Sequence, residues 1–239
     1  MGERSVQSEE GASSTATPGH VICDVLVVGG GTAGFGAAVA AGRLGLDVVL
    51  VEATTKVGGV MAFCPGMPWG GAFPGGRIIG GLLEELTDRL ASMTPPAAEQ
   101  RTCALANFGP EIVYDHDVAT VTMFEMLEEA GVRLRLGATA SVPVMDGSTI
   151  AAVECSDRRG SFTVRPRVVI DCSGDGDLSA RAGVPYSVGD GDGNMMGVTI
   201  SFFMVGVDDD VAFAEPDPYF TRFAAVGVSD GRLHPDLAQ

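Results

Sequence analysis

The chain has 239 residues, 46% of them apolar, which is material for one large domain with a real core or for about one and a half domains. Its 15 Lys and Arg against 31 Asp and Glu give a formal charge of −16, which opposes binding to nucleic-acid phosphates or anionic membrane surfaces. No apolar run reaches the ~18 residues of a membrane span. Cys23, Cys64, Cys103, Cys155 and Cys172 include no C-x-x-C pair and suggest neither a disulfide framework nor a zinc site, so reduced thiols in a cytoplasmic protein are expected.

In chain order, residues 1–20 are rich in Ser, Thr, Gly and Glu, lack the apolar stretch of a signal peptide and read as a disordered tail. VICDVLVV, from Val21, is a run rich in β-branched residues that ends in glycines, as expected of a strand buried on both faces of a parallel sheet. Thr32 to Leu44 reads as a helix whose Gly34, Ala38 and Ala41 form a side-chain-poor stripe, so the helix can lie close on the sheet. DVVLVE (47–52) is the second strand, which makes residues 21–52 one βαβ unit.

A glycine- and proline-rich connection follows, of the kind that covers a ligand or forms a functional loop. Residues 78–93 read as a helix with Leu82, Leu83, Leu86 and Leu90 on one face, and TPPAAEQ as a linker or turn. Asp115 to Ala130 is helical in pattern, with Gly131 as its stop before the strand VRLRL. Residues 141–166 alternate apolar and polar residues across two turn signals, Asp146-Gly147 and Arg159-Gly160, and read as an antiparallel meander. VVIDCSGDGD (168–177) returns to the form of a buried strand ending at glycines.

The 34 glycines, about twice the usual share, have no Gly-X-Y period and point to loops held close to a ligand or backbone. Gly29, Gly31 and Gly34 spell G-x-G-x-x-G between a strand and a helix, and Glu52 ends the next strand. In such a unit the first glycine makes a tight turn, the second lets backbone approach a pyrophosphate and the third lets the helix pack closely. The helix N-terminus offers unpaired N–H groups to the phosphates, and the acid accepts hydrogen bonds from a ribose diol. The pattern predicts a dinucleotide site, and an acid in place of a nearby Arg disfavours NADP.

Two further segments carry a family resemblance. Lys56-Val57-Gly58-Gly59 resembles the double-glycine element that follows the ribose-binding acid in FAD-binding proteins of the glutathione-reductase structural class. VVIDCSGDGDLSARAGVPY resembles a characteristic segment of the broad FAD-dependent oxidoreductase family. The resemblance covers roughly residues 21–205. It implies an α/β fold: a Rossmann-like FAD-binding domain with a parallel sheet and an inserted antiparallel meander over residues 21–186, then the start of a second, substrate domain over 187–239. It implies FAD as cofactor, with Gly29, Gly31 and Gly34 facing the pyrophosphate, Glu52 on the adenosine ribose, and Gly58 and Gly59 between pyrophosphate and flavin. Ser173, Gly174 and Asp175 match a turn near the adenosine half, and Ala140 a position whose backbone contacts adenine. The implied activity is an oxidoreductase whose flavin accepts a hydride from an organic substrate. The alternatives are a non-catalytic FAD-binding subunit of a split flavoenzyme and an NAD-dependent enzyme of the same unit.

Other candidates have plainer explanations. Cys64, in the loop after Gly59, suits flavin redox chemistry by position but has no partner cysteine close in sequence, and packing is the simpler reading. His116, between Asp115 and Asp117, suits a proton carrier or a solvated helix terminus equally. GDGDGN (189–194) has the Asp spacing of a calcium loop, but the twelfth position counted from Asp190 is Ser201 where a bidentate Glu is required, so no metal is expected. Met195, Met196 and Met204 flank VTISFF, an alternating strand suited to open the substrate domain, and core packing is the simpler reading of the three methionines. No catalytic residue is assigned. Relatives in this family continue past the equivalent of residue 239, so the remaining half of the site is expected on a longer chain or a partner chain.

Overall fold

The computed structural model describes residues 19–64, 66–70, 80–103, 110–198, 205–214 and 221–234. In chain order the elements are β1 (His20–Val28), α1 (Thr32–Arg43), β2 (Val48–Glu52), α2 (Val60–Phe63), α3 (Gly81–Ala91), β3 (Ala98–Thr102), β4 (Pro110–Tyr114), α4 (His116–Glu129), β5 (Arg133–Leu136), β6 (Thr139–Asp146), β7 (Thr149–Asp157), β8 (Gly160–Asp171), α5 (Asp177–Arg181), α6 (Asp209–Phe213) and α7 (Thr221–Ser229).

Six strands form one sheet in the order β5-β2-β1-β8-β7-β6. β1 runs parallel to β2 and to β8, and β2 parallel to β5, while β6, β7 and β8 are antiparallel. The two faces of β1 are buried by different partners, as its continuous apolar run requires. Val25 and Val27 pack with Phe35, Ala38 and Val39 of α1, Leu86 and Leu90 of α3, and Met123, Met126 and Leu127 of α4. Leu26 and Val28 face the other way, onto Val153, Cys155, Val164 and Leu178. The parallel half is therefore a layer between helices and the meander.

The small-residue stripe behaves as its spacing predicts, with Gly34, Ala38 and Ala41 all buried. A Cβ on Gly34 would overlap the Gly29 carbonyl, so α1 approaches the β1 turn more closely than any side chain permits. Asp115 caps α4 by accepting N–H bonds from Asp117 (3.0 Å) and Val118 (3.0 Å), which satisfies two of the helix's orphan donors.

Three expectations about the elements need correction. The segment expected to be a plain turn runs into a strand, β3, paired antiparallel with β4 through Ala98↔Tyr114 to Thr102↔Pro110. The mostly polar β3 gives no strand signal of its own, and the pairing is supported by Trp69, which bridges Ile112 with bonds of 2.9 and 3.0 Å. The expected last meander strand and the buried strand at 168 are one continuous element, β8, whose first residues pair with β7 and whose later residues pair with β1. The α3 pattern begins only at Gly81, and residues 78 and 79 lie outside the described residues.

Met195 and Met196, for which core packing is the simpler expectation, instead lie largely in solvent. Residues 1–18 of the expected tail, residues 199–203 of VTISFF and Met204 also lie outside the described residues. Among the described residues, no helix is long and apolar enough to cross a membrane, and no disulfide joins the cysteines.

Candidate cofactor site

Parallel pairing brings three strand ends to one level, because Val28 is in register with Val51 of β2 and with Asp171 of β8. The loops leaving these ends are residues 29–31, 53–59 and 172–176. β1 is also where the strand order switches sides: the chain first builds β2 and β5 on one flank, then β6, β7 and β8 on the other. A crevice at the carboxyl ends of such a switch point is where doubly wound sheets bind ligands.

Hydrogen bonds join the three loops. Gly29 N–H donates to Val51 O (2.8 Å) and Cys172 N–H to Val28 O (2.7 Å), which extends the sheet's pairing into the turns. Gly58 N–H donates to Gly30 O (2.8 Å), so the double-glycine loop is bonded directly to the first glycine turn. Glu52 completes the linkage: Oε2 accepts Gly30 N–H at 2.6 Å and Oε1 accepts Thr54 N–H at 2.6 Å. A carboxylate has about four lone-pair directions, so one on each oxygen is left for a further donor such as a diol.

The glycines divide into two kinds. Gly29 has φ 95°, and a Cβ there would run into the Cys172 carbonyl; Gly34 is blocked by the Gly29 carbonyl. Both serve contact between protein segments. At Gly31, with φ −65°, an added Cβ would meet nothing within 4 Å, and the same holds at Gly174. A Cβ on Gly59 would stand 3.0 Å from Gly31 Cα, and one on Gly58 2.7 Å from Met123 Cε, so Gly59 lets the loop lie against the α1 entrance and Gly58 lets it lie against α4.

α1 starts at Gly31 with no side-chain cap and no acid in its first turn. Its first N–H groups have no intrahelical acceptor and its dipole places partial positive charge there, so the open space at Gly31 suits a phosphate.

On the β8 side, Ser173, Gly174 and Asp175 form an exposed turn. Asp171 holds it: Oδ1 accepts Ser173 N–H (3.1 Å) and Oδ2 accepts Ser179 N–H (2.7 Å). Burial opposes ionisation of this carboxyl, but the Ser173 and Ser179 donors outweigh it and keep the group below the usual Asp range. Burial and the neighbouring Asp171 charge push the Cys172 thiol up, away from the reactive thiolate. Ala140 lies two residues beyond Ala138, whose N–H donates to Glu52 O at 3.0 Å, so its backbone is on the same rim as Glu52.

Sequence reasoning missed Asp171 and the Lys56 side chain. Lys56 Nζ donates to Ala62 O (2.8 Å), lies 4.7 Å from the centre of the Phe63 ring and 3.8 Å from Asp117, and so ties the double-glycine loop to α2 and α4. Asp171 left a local signal, an acid two residues before Ser173 that can accept its N–H. Lys56 left none, because its partners are set by tertiary packing. Tyr114 stacks on Trp69 with ring centroids 4.1 Å apart and donates to Met61 O at 3.2 Å, which fixes α2 just after the double glycine. Cys64 follows α2, and His116 begins α4. Among the described residues, no group of three His, Cys, Asp or Glu side chains converges as a metal site.

Comparison with known proteins agrees with this fold. Residues 24–231 match the family model described as FAD dependent oxidoreductase. A 78-residue stretch is 38% identical to the 4-oxocyclohex-2-ene-1-carboxylate 5-dehydrogenase of Sinomonas cyclohexanicum, covering 31% of this chain and 13% of that protein. Among solved structures, the chain is similar to a geranylgeranyl bacteriochlorophyll reductase-like protein from Thermoplasma acidophilum (TM-score 0.51, 18% identity, 71% of this chain and 44% of that one). It is also similar to the anhydrotetracycline hydroxylase OxyS from Streptomyces rimosus (TM-score 0.53, 18% identity, 71% and 36%). A third is the flavin-dependent brominase Bmp2 (TM-score 0.51, 20% identity, 69% and 41%). These likenesses show the fold, and the chain spans less than half the length of each of these proteins. With the family model matched over most of its length, the chain belongs to the FAD-dependent oxidoreductase family.

Proposed function

We propose that residues 21–186 grip the adenosine and pyrophosphate of FAD in the crevice at the ends of β1, β2 and β8, as the cofactor-binding part of an enzyme that oxidises a small organic substrate. The observation that carries this is the pairing of an uncapped α1 N-terminus, open at Gly31, with Glu52 on the adjacent rim. Gly31 and the first N–H groups of α1 receive the pyrophosphate, and Glu52 accepts from the ribose hydroxyls. The backbone near Ala140 and the turn of Ser173, Gly174 and Asp175 border the adenosine half, while Gly58 and Gly59 border the path toward the flavin. Bound flavin supplies a two-electron acceptor for a hydride from substrate, with oxygen or another acceptor taking the electrons afterwards. The likeness to a dehydrogenase over 78 residues supports that reaction class.

Residues 187–239 are proposed to begin a substrate domain, and the rest of the active site to come from further protein on the same or a second chain. Tyr186, Met195, Met196 and Val198 support this, because large apolar side chains 68–93% exposed in one stretch are suited to being covered. Five cysteines with no disulfide among them suit a cytoplasmic enzyme.

The test is the absorbance spectrum and cofactor content of the purified full-length protein. Bound flavin released as FAD on denaturation is expected. Colourless protein that binds NAD but not FAD would overturn the reading, and an FAD-loaded protein competent for half-reaction without any second chain would remove the split-subunit alternative.

A further inference from the structure

The β8 turn carries more than its exposure suggests, because a single carboxylate fixes it at two points. Asp171 is the last residue of β8, paired with Val28 at the level where the glycine turn leaves β1. Its two oxygens reach forward to Ser173 N–H at 3.1 Å and to Ser179 N–H at 2.7 Å. The enclosed segment has few other constraints: Ser173 Oγ accepts Asp177 N–H at 3.2 Å, and Gly174 (φ 95°) and Gly176 (φ 71°) take left-handed conformations. Gly-rich turns lose the most entropy on ordering, so a two-point anchor has a large effect on how narrowly the turn is held. The Cys172 carbonyl between strand and turn is also the atom against which Gly29 packs, so a shift of this turn reaches the glycine turn of β1.

We infer that Asp171 is a positioning residue for the cofactor: by clamping Ser173 and Ser179 it sets the β8 wall of the crevice and pre-organises it for the adenosine diphosphate half of FAD. This rests on the crevice being the FAD site. Both Asp171 oxygens are engaged by backbone N–H groups of its own segment. Asp171 acts through the turn, where Gly174 has open space beside it. Such a wall contributes to affinity by having its ordering cost met during folding, so that binding does not bear it.

The test uses the full-length protein with Asp171→Ala, Asp171→Asn and, as a control of comparable chemistry away from the crevice, Asp157→Ala. Asp157 accepts Arg159 N–H at 2.7 Å in the β7–β8 turn. Apo-protein is titrated with FAD, ADP and riboflavin, and melting is followed in parallel. Asp171→Ala is expected to weaken FAD and ADP by roughly tenfold, the effect of losing a charged hydrogen-bond anchor. Riboflavin, which lacks the adenosine diphosphate half, should be unaffected. Asp171→Asn keeps one carbonyl acceptor and should fall between wild type and Ala. If Asp157→Ala weakens ADP as much at equal loss of melting temperature, or if Asp171→Ala binds ADP as wild type does, the positioning role is wrong while the FAD site stands. If wild type binds neither FAD nor ADP, both fall. Should Asp171→Ala not fold, the comparison of Asp171→Asn with wild type decides on the same ligands.

Discussion

Glu52 is the residue on which the candidate site depends most. Both of its oxygens already accept backbone N–H groups, from Gly30 and Thr54, so the carboxylate is fixed before any ligand arrives. Glu52→Ala is expected to weaken FAD binding by about 1.5 to 3 kcal/mol, the range for hydrogen bonds to a charged group, while the sheet still folds. Isothermal titration of apo-protein checks it, and unchanged affinity would remove Glu52 from the site. The glycines separate in the same way. Gly34→Ala places a methyl group against the Gly29 carbonyl and should destabilise the protein by roughly 1 to 3 kcal/mol or more, as overpacking does, visible in a urea melt without any cofactor. Sequence spacing identified both Gly34 and Gly31 as motif glycines. The spacing assigns Gly34 to packing while the family resemblance also places it toward the pyrophosphate, and only the folded arrangement shows that the space at Gly34 is filled by protein and that at Gly31 is open.

At the scale of elements, the buried parallel strands, α1 and α4 were legible because their apolar patterns are long and continuous, and because caps such as Asp115 and Gly131 mark their ends. β3 and β4 were not, since AEQRT has almost no apolar alternation and owes its state to tertiary pairing with β4 rather than to its own pattern. The helices on the α1 face are further tied by charge. Glu85 of α3 accepts from Arg43 of α1 at 2.6 Å and from Arg89 at 2.8 Å, and Arg89 reaches Glu129 of α4 at 2.6 Å. The Arg43 bond, against some burial and with help from Arg89, holds the Glu85 carboxyl down from 4.5 to about 2. A depressed folded-state value means the stabilisation is present above the unfolded value and is lost as pH falls. Melting temperature should therefore drop between about 4.5 and about 2, and Glu85→Gln should flatten the drop in that window. An identical pH profile for the variant would show that the network contributes nothing measurable.

For the whole molecule, the family match and the sheet agree on a cofactor-binding body, while the stretch from Val184 to Val198 leaves Tyr186, Val188, Met195 and Met196 largely in solvent. If further protein covers that stretch, the 239-residue chain alone should hold FAD weakly and tend to associate, and supplying the covering protein should raise both cofactor occupancy after gel filtration and melting temperature. A monodisperse, fully loaded and active 239-residue monomer would contradict this.

The most direct measurement is FAD content after gel filtration for wild-type and Gly31→Val full-length protein, with far-UV circular dichroism on the same samples. At Gly31 an added Cβ meets nothing within 4 Å and φ is one that any residue adopts, so a side chain can start there without meeting protein yet occupies the place proposed for the pyrophosphate. Loss of FAD from Gly31→Val with the helix signal intact is the predicted result; a Gly31→Val protein that retains a full complement of FAD would contradict the site.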